Sequence, residues 1–281
     1  MNNSINSSIN NPILDKDFLT YESLVSNWDF KEEYKNQFSI KFSFNSGKIE
    51  NDKFNYNDTR EIFERGSVSS YTGDVITLIE QVNQKNCMNL VFDSSLELSK
   101  ALVKKFHFTL MNGCMSTRLI EKGEQAGEFK KGDYVVGRND IGCLPNEVEE
   151  ELEFIIGQFN EVIANKSLTQ IQAIKIATYF HAWFECIHPF ADGNGRTGRM
   201  LLNWMLIKLN HPPLIVFEED RNLYYDALED FNETEDLNKL LEFFKSQCVK
   251  TWESKYSIRV RLRPSFKSIE PSKLLLDDGE E

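Results

Sequence analysis

Cysteine is scarce in this 281-residue chain, and what there is does not pair by spacing. Cys87, Cys114, Cys143, Cys186 and Cys248 are scattered, odd in number and free of any CxxC motif. That argues against a disulfide framework or a zinc cluster and for a reducing compartment. Basic residues are in deficit as well, 32 Lys+Arg against 44 Asp+Glu, leaving a formal net charge of −12. A chain of that sign lacks the basic face that general nucleic-acid binding needs, and it is repelled by anionic membranes. No apolar run reaches the length of a membrane-crossing helix. The opening stretch, residues 1–11, is Asn/Ser-rich and has neither a basic nor an apolar leader segment, so the expected location is the cytoplasm. What is present in quantity is ordinary for a soluble globular protein: 41% hydrophobic residues, 27% charged, and 21 Phe to fill a core. The length suits one domain with extensions, or two small ones.

Helical periodicity dominates the chain. Residues 1–11 read as disordered and residues 12–104 as an N-terminal helical region. Within it, Asn57-Asp58-Thr59 reads as an N-cap and Gly66 as a stop. Helices are expected over 71–85 and 93–112, then 146–164, 169–187, 197–209, 221–232 and 236–252. The glycine-rich stretch 123–143 breaks this pattern. It encloses Asp133-Tyr134-Val135-Val136, a short β-rich run that reads as a hairpin. A tail, 246–281, extends beyond a core at 105–245 and is partly mobile by composition. Within the tail, the alternating run Ile258–Arg263 reads as a solvent-facing strand. The fold class expected is mainly α with a short β-hairpin.

The chemistry concentrates in one loop, His188-Pro-Phe-Ala-Asp192-Gly-Asn-Gly-Arg196-Thr-Gly-Arg199. Gly193-x-Gly195-x-x-Gly198 matches the dinucleotide-binding fingerprint, and Glu218 and Glu219 follow about 20 residues on. That reading needs a buried strand running into the first glycine. The segment before the loop has helical period and is too long for a strand, and no Gly-Lys-Ser/Thr follows to make a Walker loop. Taken for its chemistry instead, Gly193, Asn194 and Gly195 let backbone amides converge on an anion at a helix start. Arg196 and Arg199, three apart, add forked donors for phosphate oxygens. Asp192 is a single carboxylate of the kind that holds Mg²⁺ beside substrate phosphates. His188 is an imidazole able to take a proton near neutral pH. Together these point to phosphoryl or nucleotidyl transfer.

His-Pro-Phe-x-Asp-Gly-Asn-Gly-Arg-x-x-Arg resembles the defining motif of the Fic family at every fixed position. The resemblance spans about residues 105–245 and implies a Fic-type helical bundle that moves AMP from Mg-ATP to a Tyr, Thr or Ser hydroxyl of a target protein. It implies His188 as the base, Asp192 as the metal ligand, and the glycines with Arg196 and Arg199 as phosphate binders. Ala126–Gly137 resembles the family's flap, which would lay Tyr134, Val135, Val136 and Gly137 along the nucleotide. A target protein would then dock on the hairpin edge, 133–143, by strand addition. Tyr224 and Asn232 fall where family members contact adenosine; read alone, Tyr224 is equally a core aromatic. The resemblance leaves open a homo-oligomer, another nucleotide such as UMP, removal instead of addition of AMP, and a binding module without turnover.

Upstream, Ser46-Gly-Lys-Ile-Glu50-Asn51 resembles a Ser/Thr-x-x-x-Glu-Gly/Asn signature that one Fic class carries on a helix before the core. There the glutamate pairs with the loop's second arginine and blocks seating of the ATP γ-phosphate. Glu50 is the only Glu in the chain followed by Asn or Gly, and a helix puts Ser46 and Glu50 on one face. Gly47 weighs mildly against that helix. Residues Ser46, Glu50 and Asn51 are therefore the expected inhibitory set. His181, Glu185 and His188 share helical spacing but lack the zincin pattern, and His107 and His211 read as packing or capping residues.

Overall fold

The computed structural model describes residues 20–134, 142–165 and 167–256, and these form eleven α-helices with no strand among them. In order they are α1 (Tyr21–Ser26), α2 (Glu32–Glu50), α3 (Tyr56–Arg65), α4 (Val75–Val91), α5 (Lys100–Met111) and α6 (Thr117–Glu121). Then follow α7 (Val148–Asn165), α8 (Gln170–Ile187), α9 (Asn194–Lys208), α10 (Arg221–Thr234) and α11 (Asn238–Tyr256). The mainly helical expectation stands. Val135, Val136 and Gly137, with most of the expected hairpin, lie outside the described residues, as do residues 1–11 and Ile258–Arg263.

The helix ends follow from local side chains. Thr169 and Gln172 make a reciprocal capping box at the start of α8. Asn55, not the Asn57–Thr59 stretch, caps α3, because its side-chain oxygen accepts from Asn57 and Asp58 N–H, and Gly66 closes the helix in the left-handed region. The helix expected from 93 starts only at Lys100. Asp93 folds back on Ser95, and Ser99 caps the helix proper. α4 starts at Val75 behind the Asp74 cap, later than position 71.

α9 is the centre of the bundle. Every residue from Arg196 to Leu206 is buried, as befits a helix enclosed on all sides. α8 lies along it, and α2, α4 and α5 cover its other faces. α7, α10 and α11 pack outside α8, and α1 seals α11, where the Tyr21 hydroxyl meets His211 Nε2 at 2.7 Å. Both proposed domain divisions, 104/105 and 245/246, fall inside helices, α5 and α11. Cys248 and Trp252 of the tail's first turns are core residues. The apolar run Leu214–Phe217 is extended yet pairs with no strand. Ile215 N–H donates to Thr251 Oγ1 and Phe217 N–H to Gln247 Oε1, both on α11. Among the described residues there is no strand, and the segment entering Gly193 follows helix α8, so the dinucleotide-binding reading has no strand to rest on. No helix among the described residues is long and apolar enough to cross a membrane.

Burial holds the chain's four histidines well below the free value: His107, His188 and His211 to about 4 and His181 to about 3. All are neutral when folded, so below about pH 6.5 the unfolded chain binds more protons and stability is lost as pH falls. Glu185 works in the opposite direction. Burial raises its carboxyl to about 8, so its contribution is lost as pH rises from the carboxylate range toward that value. Urea unfolding followed against pH should therefore peak in stability near pH 6.5. Each proton exchanged adds about 1.4 kcal/mol per pH unit to the slope on its side.

Candidate active site

The site is built where α8 hands over to α9. His188 caps α8 in the left-handed region, φ 49°, with its N–H on Phe184 O. A non-glycine residue in that conformation is strained by about 1–3 kcal/mol, and the turn swings the imidazole off the helix axis. Phe190 then plunges into the core and stacks on His107, ring centroids 3.7 Å apart. His107 Nδ1 accepts from Gly127 N–H, which leaves Nε2–H to donate to the Asp192 carbonyl at 3.0 Å. Asn194 closes the loop from the other side, with its side chain bonded to both N–H and C=O of Phe190. Gly193, φ 76°, opens α9, and a Cβ there would sit 2.6 Å from Met111 Sδ. Glycine is thus required by conformation and by space.

α9 begins with no side chain capping it. Its first-turn amides are left for an anion, at the positive end of the helix dipole. The helix starts at Asn194 rather than at 197, so Gly195 and Arg196 belong to that first turn and Arg199 to the next. Asp192 stands beside it. Its side chain is 45% exposed, and its bonds, from Gly193 N–H at 2.6 Å and to Arg196 Nη2 at 3.5 Å, both fall on Oδ1. A water-facing carboxylate next to an anion nest fits Mg²⁺, which binds through one or two carboxylates plus substrate phosphates.

The two arginines are buried and both are held by acids from the N-terminal helices. Arg199, 1% exposed, donates from Nη2 to Glu50 Oε1 at 2.8 Å and to the Ser46 carbonyl at 3.0 Å. Its Nε donates to Ser46 Oγ at 3.1 Å. Burial works against the Glu50 carboxylate, but Arg199 and Arg196 outweigh it and hold its pKa below the usual range. Glu50 also stands over the nest: a Cβ on Gly195 would lie 2.5 Å from Glu50 Oε1. Arg196 Nη1 pairs with Glu80 on α4. Asn51, which ends α2, donates from Nδ2 to Glu80 Oε2 at 2.9 Å and to Thr77 Oγ1 at 3.1 Å. Gly47 lies inside α2 after all. The buried Phe54 ring fills the space where a side chain would be.

On the other side of the loop, burial and the Lys130 charge lower His188 to about 4, so its imidazole is neutral at pH 7. Lys130 is 3% exposed, its N–H bonds Pro189 O at 2.9 Å, and its Nζ has no hydrogen-bond partner among the described residues. Cys143 N–H bonds Ile187 O, so both flanks of the 135–141 segment are pinned to the end of α8. Tyr134 donates its hydroxyl to Glu124 Oε1 at 2.8 Å. Tyr224 is a core residue, with its hydroxyl on His181 Nε2 at 2.8 Å and its ring centroid 5.8 Å from the Arg199 guanidinium carbon. Its neighbour Tyr225 is 42% exposed and feels both Glu50 and Arg199, so it borders the site more openly. Asn232 is exposed on α10. Sequence reasoning missed Glu80 and Lys130, and it read His107 as a packing or capping residue without its bond to the Asp192 carbonyl. Their partners are far along the chain, and no local spacing marks them.

Residues 97–206 match the family model of the Fic/DOC family. Among curated relatives, the protein adenylyltransferase Fic of Aedes aegypti is 34% identical over 109 residues, 39% of this chain and 21% of that protein. The Drosophila persimilis protein of the same name is 31% identical over 127 residues, 45% of this chain and 24% of that one. The chain therefore matches about a quarter or less of these relatives' length. A Fic domain containing signaling protein from Bacteroides thetaiotaomicron superposes with a TM-score of 0.69 at 19% identity, covering 82% of this chain and 91% of that one. Fic-1 from C. elegans gives 0.62 at 23% identity, covering 79% and 62%. At these identities the superpositions establish the shared fold.

Gly47→Ala tests the seat of α2. The added methyl meets the enclosed Phe54 ring, so unfolding should become easier by about 1–3 kcal/mol in urea titrations. An unchanged midpoint would show that the α2 turn accommodates a side chain.

Proposed function

We propose, from a Fic/DOC domain at residues 97–206, that this protein is a protein adenylyltransferase restrained by its own Glu50. The homologues' name supports the transferase class, and adenylyl transfer brings ATP as substrate. The observation that carries the reading is an uncapped helix start flanked by two buried arginines, with a neutral imidazole at the end of the helix before it. In this account a Tyr, Thr or Ser hydroxyl loses its proton to His188 as its oxygen attacks the α-phosphorus. The α–β phosphoanhydride bond breaks, pyrophosphate leaves, and AMP remains esterified to the target. The first-turn amides of α9, Arg196 and Arg199 hold the phosphates. Asp192 would hold Mg²⁺, which neutralises phosphate charge when bound. Tyr134 to Gly137 and the rest of 133–143 would present a target segment, Tyr225 gives the nucleoside an exposed ring, and the compartment is the cytoplasm.

Glu50 sits where a phosphate would sit, on Arg199 and above Gly195. A carboxylate there removes a phosphate ligand and adds repulsion toward triphosphate. A second reading draws on the same contact: a glutamate held beside the nest can align water and favour AMP removal.

Incubation with labelled ATP and Mg²⁺ tests both. Transfer, including self-labelling, should be weak in the native chain, rise in Glu50→Gly and fall by about 10²–10⁴ in His188→Ala. Transfer that survives His188→Ala refutes the assigned base. Loss of label from a pre-modified target, requiring Glu50, would favour the second reading. The pH profile adds an independent check. With His188 at about 4, the acid limb of Glu50→Gly should appear only well below about pH 6, where an unperturbed histidine would already have lost activity.

A further inference from the structure

Glu50 and Glu80 both neutralise a loop arginine, but they stand in different places. Glu50 has a side chain 31% exposed and crowds Gly195, in the anion seat itself. Glu80 has a side chain only 10% exposed, and the atoms nearest Gly195 belong to Glu50 and Arg199 instead. Glu80 also uses its two oxygens differently. Oε1 takes Arg196 Nη1, while Oε2 takes the Asn51 amide at the end of α2. Arg196 keeps its other edge. Nη2 points toward Asp192 at 3.5 Å, and Nε is buried without a partner. Arg199 Nη1 is likewise buried without a partner, so the difference lies in the acids: Glu50 stands over Gly195 and Glu80 does not, and an anion entering the nest meets Glu50 while the Glu80–Arg196 pair stays in place.

We infer that Glu80 is a positioning residue for the phosphate site: it fixes the Arg196 guanidinium toward the nest and, through Asn51, ties that arginine to the end of the helix carrying Glu50. The inference rests on the nucleotide-binding reading above. An arginine fork aids phosphate only if it is held in plane and aimed, since an unfixed side chain must be ordered at the moment of binding. Thr77 and the α2 C-cap hold Asn51, with Asn51 N–H on Gly47 O at 2.9 Å. The chain of contacts therefore runs unbroken from α2 through α4 to α9. Glu80 lies outside the matched segment 97–206, so the phosphate site draws a necessary part from the N-terminal helices.

Two opposed effects make the test sharp. Simple Coulomb attraction says that removing a carboxylate beside the nest tightens ATP binding; positioning says that it weakens it. Calorimetry compares ATP and adenosine binding to Glu50→Gly and to Glu50→Gly/Glu80→Gln, the glutamine keeping size and an acceptor oxygen. ATP affinity should fall about tenfold, the order of one charged hydrogen bond, while adenosine affinity stays unchanged. Glu50→Gly/Glu80→Asp, which keeps the charge but withdraws it by one methylene, should show a smaller loss and serves if the glutamine variant does not fold. Equal or tighter ATP binding overturns the inference, as does an equal loss for adenosine, which would mark general loosening. Glu50→Gly that binds ATP yet transfers no AMP sinks the catalytic reading alone, and the affinity ratio still decides Glu80. Glu50→Gly that binds no ATP overturns both.

Discussion

A guanidinium that is 1% exposed needs an anion, and in this fold Arg199 obtains one from a helix about 150 residues upstream. A buried cation left alone would be disfavoured by several kcal/mol. That requirement explains why α2 lies where it does. Ser46 offers both its hydroxyl and its carbonyl to Arg199, Glu50 supplies the charge, and Gly47 lets the Phe54 ring close over the turn between them. The same requirement repeats one turn earlier, where Arg196 draws Glu80 from α4. The two helices that bear the acids are also packed on each other and on α9. The N-terminal region and the loop thus share one electrostatic core.

The opposite face of the loop is shaped by packing rather than charge. Phe190, His107 and Phe129 form an aromatic plug, and Asn194 ties Phe190 by both its backbone groups. Because the plug is fixed, the backbone strain at His188 is tolerated, and its Cβ packs beside Gly142. Burial and Lys130 keep the imidazole neutral. A base that must accept a proton gains availability from such depression and loses driving force.

The geometry of the twelve-residue loop could be read directly, because its glycines and arginines lie in adjacent positions at one helix start. The helical periods were legible for the same reason, and so was the pairing of Ser46 with Glu50, which follows from one helical face. Boundaries were less so. Asp93–Ser95 and Asn55 carry local side-chain bonds that override apolar period, and α9 begins three residues before its apolar face does. The run Leu214–Phe217 is extended and belongs to no helix. Side chains on α11, not a neighbouring strand, satisfy its amides. Glu80, Lys130 and the bond from His107 to the Asp192 carbonyl were invisible for a different reason. Each acts through a partner tens of residues away or more, and a lone buried Glu, Lys or His in sequence has no period to betray it. Tyr224 and Tyr225 show the limit of adjacent positions: one turn step of a helix separates a core ring from an exposed one.

Under the proposed function, the strength of the restraint is bounded by the contact that makes it. A charge-assisted hydrogen bond contributes about 1.5–3 kcal/mol net, which corresponds to Glu50 leaving Arg199 free between about a tenth and a hundredth of the time. A nucleotide that needs the free arginine then binds about 10- to 100-fold more weakly than it would to an open site. That is a leaky brake, one a modest input can reverse. Lengthening the lever makes it stiffer. Asn51 anchors the end of α2 to Glu80 and Thr77, so displacing Glu50 by a rigid movement of α2 also breaks contacts on α4, while rotating the Glu50 side chain alone breaks only the ion pair. The side-chain route is the cheaper of the two, and Glu50, with nearly a third of its side chain at the surface, has the solvent to rotate into. Under that reading, release of the restraint falls first on the rotamer of one glutamate, with the helix as its fixed mount.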